Sequence, residues 1–277
     1  MKNQTTIKSE LNKTGVFLES AIYNTLRKNK RYKVFREEPY SGYTSEGFEG
    51  VIDMLLGVHL PDEGLIICFL IESKKADLEQ KKWVVDKLRK PMEDTYSFDY
   101  YNAGIKKFDY SKNIFFPSLG YNGMKFFDRG IQTFEFNETT GKLSRNQGER
   151  PYLALRHVNE AVSSFLDERR DRVFEIMKTN VDQYDILYIP VVFTTAELFV
   201  INYDAENIDL VKGEIDIKDV DLEQKDWIHY EFPLPYSLRT RTEPGLGPVK
   251  RPSFIVRADK CETFIEMLSK DCESYIL

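Results

Sequence analysis

The stretch FEGVIDMLLGVHLPDEGLIICFLIESKK, residues 48–75, decides the fold. Two long apolar runs, residues 48–60 and 65–73, flank the sequence Pro-Asp-Glu-Gly, which is typical of a tight turn. The pattern therefore predicts an antiparallel β-hairpin. Charges are rare within the two runs, and Asp53 and Glu72 stand out against their apolar neighbours.

The register of this hairpin brings its charged residues together. If Leu60 pairs with Leu65 across the turn, counting back along both runs places Asp53 opposite Glu72. Directly opposed residues share a face of the sheet, with Cβ atoms about 5 Å apart. Lys74 lies two residues beyond Glu72 and therefore joins the same face.

Two carboxylates at this spacing repel each other by roughly 3 kcal/mol at an effective dielectric constant of about 20. A buried charge that loses its partner costs about 3–5 kcal/mol. A shared proton, the ammonium group of Lys74 or a divalent cation would each relieve the repulsion. Mg²⁺ prefers carboxylate oxygens and keeps several of its waters. Two carboxylates and a lysine beside such an ion are therefore suited to phosphoryl transfer.

These residues resemble the PD-(D/E)xK nuclease superfamily, whose members have the restriction-endonuclease-like fold. The match consists of Asp53 in GVIDMLL and of Glu72-Ser73-Lys74 in FLIESKK. Ile52 stands where the name of the family has a proline. The resemblance covers roughly residues 12–90 of the chain.

Residues 12–29 are predicted to form the first helix, because apolar side chains recur there at helical spacing. Glu19 falls on the apolar stripe, where an unpaired carboxylate is expensive. Many members of the superfamily add a glutamate from their first helix, and Glu19 in GVFLESAIYNTL fits that place. The alternative is a glutamate at the edge of the stripe that reaches solvent.

The resemblance implies metal-dependent hydrolysis of phosphodiester bonds in nucleic acid, with DNA favoured over RNA as the substrate. Asp53, Glu72, the Ser73 carbonyl and Glu19 would then hold Mg²⁺, for which Mn²⁺ can substitute. Lys74 would orient the attacking water or share the charge of the transition state. The implied class is a Mg²⁺-dependent endonuclease.

Other interpretations stay open, because Glu/Asp-x-Lys occurs four times in the chain and is a weak signal alone. Only the occurrence at Glu72 ends a long apolar run. The same residues are compatible with a buried ion pair between Lys74 and one carboxylate. The chain would then be a catalytically inactive module that binds nucleic acid or protein and retains the nuclease fold.

Residues 27–36, RKNKRYKVFR, hold six basic residues and no acidic one. Basic side chains are favourable at the C-terminus of a helix, which explains part of the run. Six exceed that need, so a phosphate-contacting surface is the second interpretation. The side chains assigned to nucleic-acid binding are Arg27, Lys28, Lys30, Arg31, Lys33, Arg36 and Lys75.

The predicted fold class is α/β, with a restriction-endonuclease-like mixed central sheet flanked by helices in a single nuclease-like domain. Its core comprises approximately residues 12–90 and 156–203. Residues 91–155 are predicted to be an insertion rich in aromatic residues and lysines. Its rings form either a small core of their own or a surface for single strands or a partner. Residues 204–277 are predicted to be a C-terminal extension.

Local patterns predict further elements in the first two thirds of the chain. Residues 1–11 are polar and are expected to lack regular structure. Residues 77–90 are predicted to be a helix that begins at Asp77 and ends before a proline. Residues 156–179 are predicted to be an amphipathic helix, and His157 is expected to cap it or to lie on the surface.

The last third of the chain is predicted to be mainly β. Residues 185–203 are predicted to be a second apolar hairpin. Residues 227–236 contain prolines and are expected to be an edge strand. Residues 239–251 are basic and rich in Gly and Pro, so they are either a clamp on phosphates or a solvated connector. A final strand and helix follow over residues 253–269.

Composition sets broad limits on these interpretations. With 277 residues and 42% hydrophobic content, the chain is large enough for one large domain. A net charge of −6 argues against strong non-specific affinity for nucleic acid but leaves room for a local basic groove. The three cysteines match no zinc spacing and suggest no disulfide framework.

The expected location is the cytoplasm, since the sequence has no signal peptide and no apolar run that would span a membrane. Nucleic acid, and not a membrane, is therefore the expected partner. A homodimer is compatible with this hypothesis.

Overall fold

The fold is that of a computed structural model. It describes residues 2–42, 48–62, 64–76, 82–87, 96–102, 107–114, 129–144, 150–167, 170–179, 183–234 and 250–275. The described helices are α1 (Lys2–Lys13), α2 (Val16–Leu26), α3 (Arg150–Asp167), α4 (Arg170–Met177) and α5 (Cys261–Tyr275). None of them is both long and apolar enough to cross a membrane.

The strands of the described residues form one mixed sheet. In chain order they are β1 (Tyr32–Gly42), β2 (Phe48–Leu60), β3 (Leu65–Lys74), β4 (Lys82–Lys87), β5 (Tyr96–Asn102), β6 (Lys107–Ile114), β7 (Arg129–Asn137), β8 (Lys142–Ser144), β9 (Asp185–Thr194), β10 (Glu197–Tyr203), β11 (Val220–Lys225), β12 (Trp227–Pro233) and β13 (Lys250–Arg257).

The order of strands across the sheet is β1-β2-β3-β9-β13-β12-β7-β4-β10-β11. β5 pairs with β6 and β9, and β8 pairs with β7. β1, β2 and β3 are antiparallel neighbours, whereas β9 is parallel to both β3 and β13. The chain is thus α/β with a mixed sheet, as its sequence predicts.

Helices cover both faces of the sheet around β2 and β3. On one face, Ile22 of α2 and Phe264 of α5 pack with Met54 and Phe69. On the opposite face, side chains of α3 and α4 pack with Leu55, Cys68 and Leu70. Neighbouring residues of one strand therefore enter different cores, which is the period-two alternation of a strand buried on both sides.

The hairpin of residues 48–75 has the register that its sequence predicts, and its second strand ends one residue later than predicted. The ladder stops one step before the predicted pair of Asp53 with Glu72. β2 covers Phe48–Leu60, and β3 covers Leu65–Lys74. The pairs run in step from Leu60 with Leu65 to Met54 with Ile71. Between the strands, Gly64 has a φ of 61°, a backbone conformation that glycine adopts without strain.

The alternation of β1 and β2 breaks at one position. Arg36 pairs with Met54 and Glu38 with Ile52, but no ladder pair joins the residues between them, Glu37 and Asp53. Glu37 has a φ of 54°, which is uncommon for a residue with a side chain. Ile52 and Leu55 share one core, while Met54 belongs to the other. Asp53 therefore stands where β2 leaves its regular alternation.

Two local predictions of secondary structure are wrong. Residues 82–87, expected in a helix, form strand β4, in which Trp83, Val84 and Val85 are buried between β7 and β10. A bulky aromatic residue and two β-branched residues favour such a strand. The N-terminal segment, expected to lack structure, forms helix α1, on which Ile7 and Leu11 remain exposed.

Two predictions of strand pairing are also wrong. β9 and β10 follow each other in the chain but do not pair, since β9 lies beside β3 and β13, and β10 lies between β4 and β11. β12, expected at an edge, lies between β13 and β7. Its proline, Pro233, is the last residue of the strand, where a missing N–H costs least.

Other predicted elements are longer or divided. The helix expected over residues 156–179 begins at Arg150 and is two helices, α3 and α4. The last helix extends to Tyr275. The aromatic insertion of residues 91–155 contributes β5, β6, β7 and β8 to the sheet and the start of α3. Most of the basic loop of residues 239–251 lies outside the described residues.

Candidate active site

The carboxylate of Asp53 is bound by a single residue of the neighbouring strand. Its Oδ2 accepts one hydrogen bond from the backbone N–H of Ser73 and one from the Ser73 hydroxyl, each 2.6 Å long. These bonds continue the contact between β2 and β3 beyond their last ladder pair, Met54 with Ile71. Asp53 thus lies beside the end of the Glu-x-Lys strand.

The neighbouring Glu72 is only 3% exposed and is held asymmetrically. Its Oε1 lies 2.6 Å from Lys74 Nζ and 3.3 Å from His157 Nδ1 of α3. Its Oε2 is buried and has no hydrogen-bond partner among the described residues. A buried carboxylate oxygen without a donor is costly and marks a place where a ligand would be favourable.

The electrostatics of Asp53 reflect this crowding. Burial, and after it the charge of Glu72, raises the pKa of Asp53 from 3.8 to about 6, against the lowering effect of the two Ser73 hydrogen bonds. Glu19 contributes a smaller effect in the same direction. The charges of Glu72 and Glu19 thus both act on Asp53, and a positive charge beside Asp53 would be stabilised.

One interpretation of the sequence has the Glu19 side chain reaching solvent, but in the structure this side chain is largely buried. Its side chain is 14% exposed, and its Oε1 accepts from Nε and Nη2 of Arg36, at 2.8 and 2.5 Å. The Arg36 guanidinium also lies over the ring of Tyr23. Arg36 therefore neutralises Glu19 and faces α2 instead of an open surface.

Two charged residues of α3, Arg156 and Glu160, interact with Tyr40 near the site. The hydroxyl of Tyr40 hydrogen-bonds to Glu160, which also binds Arg156 at 2.6 Å. Burial and the charges of Glu160 and Glu72 raise the pKa of Tyr40. The Tyr40 phenol therefore stays protonated and uncharged near Glu72.

The basic residues assigned to nucleic-acid binding are divided by their contacts. Arg31 pairs with Glu273, Arg36 pairs with Glu19, and Arg27 lies over the ring of Tyr23. The remaining members of the run are exposed and form no ion pair with other described residues; they are Lys28, Lys30 and Lys33. Lys75 is half-buried directly after the Glu-x-Lys sequence.

His157 is the residue that sequence reasoning missed. It lies within α3 and contacts Glu72, although the sequence suggested a capping or surface role. The helix had been expected to begin at residue 156, which left His157 outside its periodic pattern. With the helix beginning at Arg150, His157 is three residues after the buried Ala154 and four before the buried Ala161, which places it beside the inward face.

The donors at this site fit a hard divalent cation. In the part of the chain that the structure describes, Glu72 Oε2 has no donor, and Asp53 supplies a second carboxylate. Mg²⁺ and Mn²⁺ favour such oxygens. Within the described ranges, no group of three or more His, Cys, Asp or Glu side chains is arranged to hold a metal ion. A site built from these two carboxylates and the Ser73 carbonyl contains only two such side chains.

Fold and site together define an α/β protein whose central hairpin brings two carboxylates and a lysine together. Among models of known protein families, curated proteins and solved structures, nothing matches this chain. The function is therefore argued from the geometry of the site.

Proposed function

We propose that this protein is a metal-dependent nuclease of the PD-(D/E)xK superfamily, with a restriction-endonuclease-like core, that hydrolyses phosphodiester bonds in nucleic acid. DNA is the favoured substrate. The observation that carries the proposal is the buried Glu72, whose Oε2 has no donor among the described residues, next to the carboxylate of Asp53. Both lie where β2 and β3 end their regular pairing in the sheet.

In this proposal Asp53, Glu72 and the Ser73 carbonyl hold Mg²⁺, or Mn²⁺ in its place. Glu19 assists, either as a ligand released from Arg36 or through its charge on Asp53. The bound ion supplies an acidified water and neutralises charge that develops on the phosphate. The Asp53 bonds to Ser73 fix one carboxylate oxygen, so that this ligand is ordered before any ion binds.

Lys74 has the role of orienting the water or sharing the charge of the phosphate in the transition state. Its side chain is 29% exposed, and its ammonium binds Glu72 Oε1 at 2.6 Å. When a cation neutralises Glu72, Lys74 loses part of its attraction to that carboxylate and becomes available to the substrate. The exposed Lys28, Lys30 and Lys33 supply contacts to the phosphate backbone.

A cleavage assay tests the proposal. Wild-type protein is incubated with duplex DNA, single-stranded DNA and RNA, with Mg²⁺ or Mn²⁺ and with chelator. The expected result is cleavage that disappears with chelator and in both Asp53→Ala and Lys74→Ala. Glu223→Ala is the matched control, because Glu223 is an exposed carboxylate in another Glu-x-Lys sequence, where it pairs with Lys225 on β11.

The outcomes separate the substrate from the site. Cleavage that survives Asp53→Ala would place the chemistry elsewhere and overturn the proposal. Absence of cleavage on every substrate, together with no stabilisation by Mn²⁺, would also overturn it. Stabilisation by Mn²⁺ without cleavage would retain the metal site and show that the substrate is a different one.

A second candidate is a binding module that retains the fold without catalysis. The observation that favours it is that residues of the site bind one another: Lys74 neutralises Glu72, and Ser73 donates two hydrogen bonds to Asp53 without any ion. Such a module needs no divalent cation. Binding of nucleic acid that is equal in chelator and in Mg²⁺, with no cleavage, would favour this function over the nuclease.

Two further expectations belong to the same proposal. The cytoplasm remains the predicted location. The division into a core of residues 12–90 and 156–203, an insertion of residues 91–155 and an extension of residues 204–277 remains a prediction about how the chain is organised. In both nuclease and binding module, the hairpin of β2 and β3 is the element on which function depends.

A further inference from the structure

The Glu72 carboxylate is held in a one-sided way that the nuclease motif alone does not explain. Oε1 faces two nitrogen groups, Lys74 Nζ at 2.6 Å and His157 Nδ1 at 3.3 Å, while the buried Oε2 has none among the described residues. As a metal ligand Glu72 is ionised and its oxygens only accept hydrogen bonds, so the contact with His157 then uses the tautomer with the proton on Nδ1. His157 therefore acts on Glu72 as a donor.

We propose that His157 is a positioning residue, which holds the Glu72 carboxylate by Oε1 so that Oε2 is presented to the divalent cation. This inference rests on the proposed metal site. Removal of a side chain that hydrogen-bonds to a metal ligand and orients it commonly weakens metal affinity by about 10–100-fold. Lys74 alone is a weaker orienting group, because its long, flexible side chain can place the ammonium in many positions.

The helix that carries His157, α3, is fixed firmly enough on the sheet for this role. Neighbouring positions on α3, Ala154, Val158 and Ala161, are fully buried against the sheet. Two residues further on, the Asn159 side chain donates to Ser253 Oγ at 2.9 Å. These contacts fix the helix relative to the sheet, so the imidazole is placed by packing and not only by its contact with Glu72.

The imidazole itself is partly open to solvent. The His157 side chain is 41% exposed, whereas the Glu72 side chain is 4% exposed. His157 is thus more exposed than the carboxylate that it contacts. A role limited to fold stability would not depend on which Glu72 oxygen the ring contacts. A role in positioning makes metal affinity depend on the hydrogen bond that Nδ1 donates.

The test measures Mn²⁺ binding by calorimetry in wild type, His157→Ala and His157→Asn. The asparagine variant keeps an N–H donor near the place of Nδ1. We expect His157→Ala to bind Mn²⁺ at least about 10-fold more weakly, and His157→Asn to recover most of the affinity. His59→Ala is the matched control, since His59 lies at the far end of β2, packs on Tyr184 and does not contact Glu72.

Kinetics on a cleaved substrate separate positioning from substrate contact. With positioning, His157→Ala lowers kcat at low Mn²⁺, excess Mn²⁺ restores it, and KM for the substrate is unchanged. A higher KM with unchanged Mn²⁺ affinity would overturn the inference and indicate that His157 binds the substrate. Thermal melts in chelator, expected to be similar for wild type and both variants, verify that the variants are folded.

The failure of this inference is distinguishable from that of the proposed function. If wild type binds Mn²⁺ and His157→Ala binds it equally well, the metal site stands and the role of His157 is refuted. If wild type itself binds no Mn²⁺, the proposed metal site and the inference both fail.

Discussion

Asp53 Oδ2 accepts two hydrogen bonds from Ser73, one from the backbone N–H and one from the hydroxyl, each 2.6 Å long. Hydrogen bonds to a carboxylate favour its charged form and lower its pKa. Burial and the charge of Glu72 act in the opposite direction and prevail, since the pKa of Asp53 is raised to about 6. Ser73 therefore orders a carboxylate whose charge still costs free energy in the absence of a cation.

The first prediction concerns the stability of the metal-free protein against pH. In the folded state the pKa of Asp53 is about 6, and the ordinary value is 3.8. Between these values the folded state binds more protons than the unfolded state, so stability falls as pH rises from about 4 to about 6. A difference of about two pKa units corresponds to roughly 3 kcal/mol.

Asp53→Asn removes this charge at every pH. In chelator at pH 8 we expect the variant to melt above wild type, by roughly 5 °C if the full free energy is recovered. Below pH 4 the difference is expected to disappear, because wild-type Asp53 is then protonated. Thermal melts across this pH range measure both effects. A variant that melts well below wild type at pH 8 would contradict the prediction and favour a stabilising ion-pair role for Asp53.

The second prediction concerns the ion. At a Mn²⁺ concentration about 100 times its Kd, a single site stabilises the folded state by about 2.7 kcal/mol. We therefore expect the melting temperature of wild type to rise at pH 8 and that of Asp53→Ala or Glu72→Gln to remain unchanged. Differential scanning calorimetry with and without Mn²⁺ measures the shift. Equal shifts in wild type and variants would indicate binding at another place.

The sequence predicts the hairpin well because the patterns that specify the hairpin all lie within one short stretch of the chain. Alternation of side chains, a Pro-Asp-Glu-Gly turn and the length of two apolar runs suffice for the bounds of β2 and the register of β3. They also suffice for the contact between Glu72 and Lys74, two residues apart on one face. The central part of the candidate site therefore follows from a single stretch.

What the sequence did not predict depends on contacts between distant segments. An N-cap at Asp77 and a terminating proline predict a helix around Trp83, but pairing with β7 and β10 makes residues 82–87 a strand. The donor to Glu72 comes from His157, 85 positions further along the chain. The break at Glu37 and Asp53 depends on the backbone of two paired strands, which the pattern of either strand alone does not specify.

The third prediction concerns the ion pair that joins the buried Glu38 of β1 to the partly exposed Arg172 of α4. Arg172 binds Glu38 through two nitrogens, with Nε–Oε2 at 3.1 Å and Nη2–Oε1 at 2.8 Å, and Glu38 is only 5% exposed. Arg172→Met leaves the Glu38 carboxylate buried without this partner, so we expect a loss of about 3 kcal/mol in the free energy of unfolding. Urea denaturation measures it.

Two controls accompany this prediction. Glu175→Gln removes only the exposed partner of Arg172 and is expected to cost less than about 1 kcal/mol. Arg172→Met combined with Glu38→Gln is expected to recover part of the loss, because no buried charge remains. A double variant as unstable as the sum of its single changes would argue against the ion pair as the cause.

The fourth prediction concerns the surface proposed for nucleic acid. Replacement of Lys28, Lys30 and Lys33 by Gln is expected to weaken binding of duplex DNA in chelator and to reduce the salt dependence of log K by up to about 3. Fluorescence anisotropy over a range of salt concentrations measures it. The matched control, with the same change of charge, replaces three lysines within residues 204–226, a stretch rich in Asp and Glu: Lys212, Lys218 and Lys225. A similar loss of affinity in both variants would indicate an effect of net charge alone.

The last prediction tests how closely α4 packs on the hairpin that carries the site. A Cβ atom at Gly57 of β2 would overlap Sδ of Met177 and lie 3.3 Å from its Cε. Overpacking typically costs about 1–3 kcal/mol, and the flexible Met177 side chain can shift to relieve part of the overlap. We therefore expect Gly57→Ala to lower the free energy of unfolding by about 1 kcal/mol. Gly15→Ala is the control, because nothing lies within 4 Å of a Cβ at that position.

Met177→Ala alone leaves a cavity and is expected to cost about 2–5 kcal/mol. In the double variant the new methyl group of residue 57 enters the space that the methionine leaves, so the combined loss is expected to be smaller than the sum by about 0.5–3 kcal/mol. Urea denaturation of the four proteins of this cycle gives the coupling free energy. A coupling free energy of zero would mean that residues 57 and 177 are not in contact in solution and that α4 does not pack on β2 at Gly57.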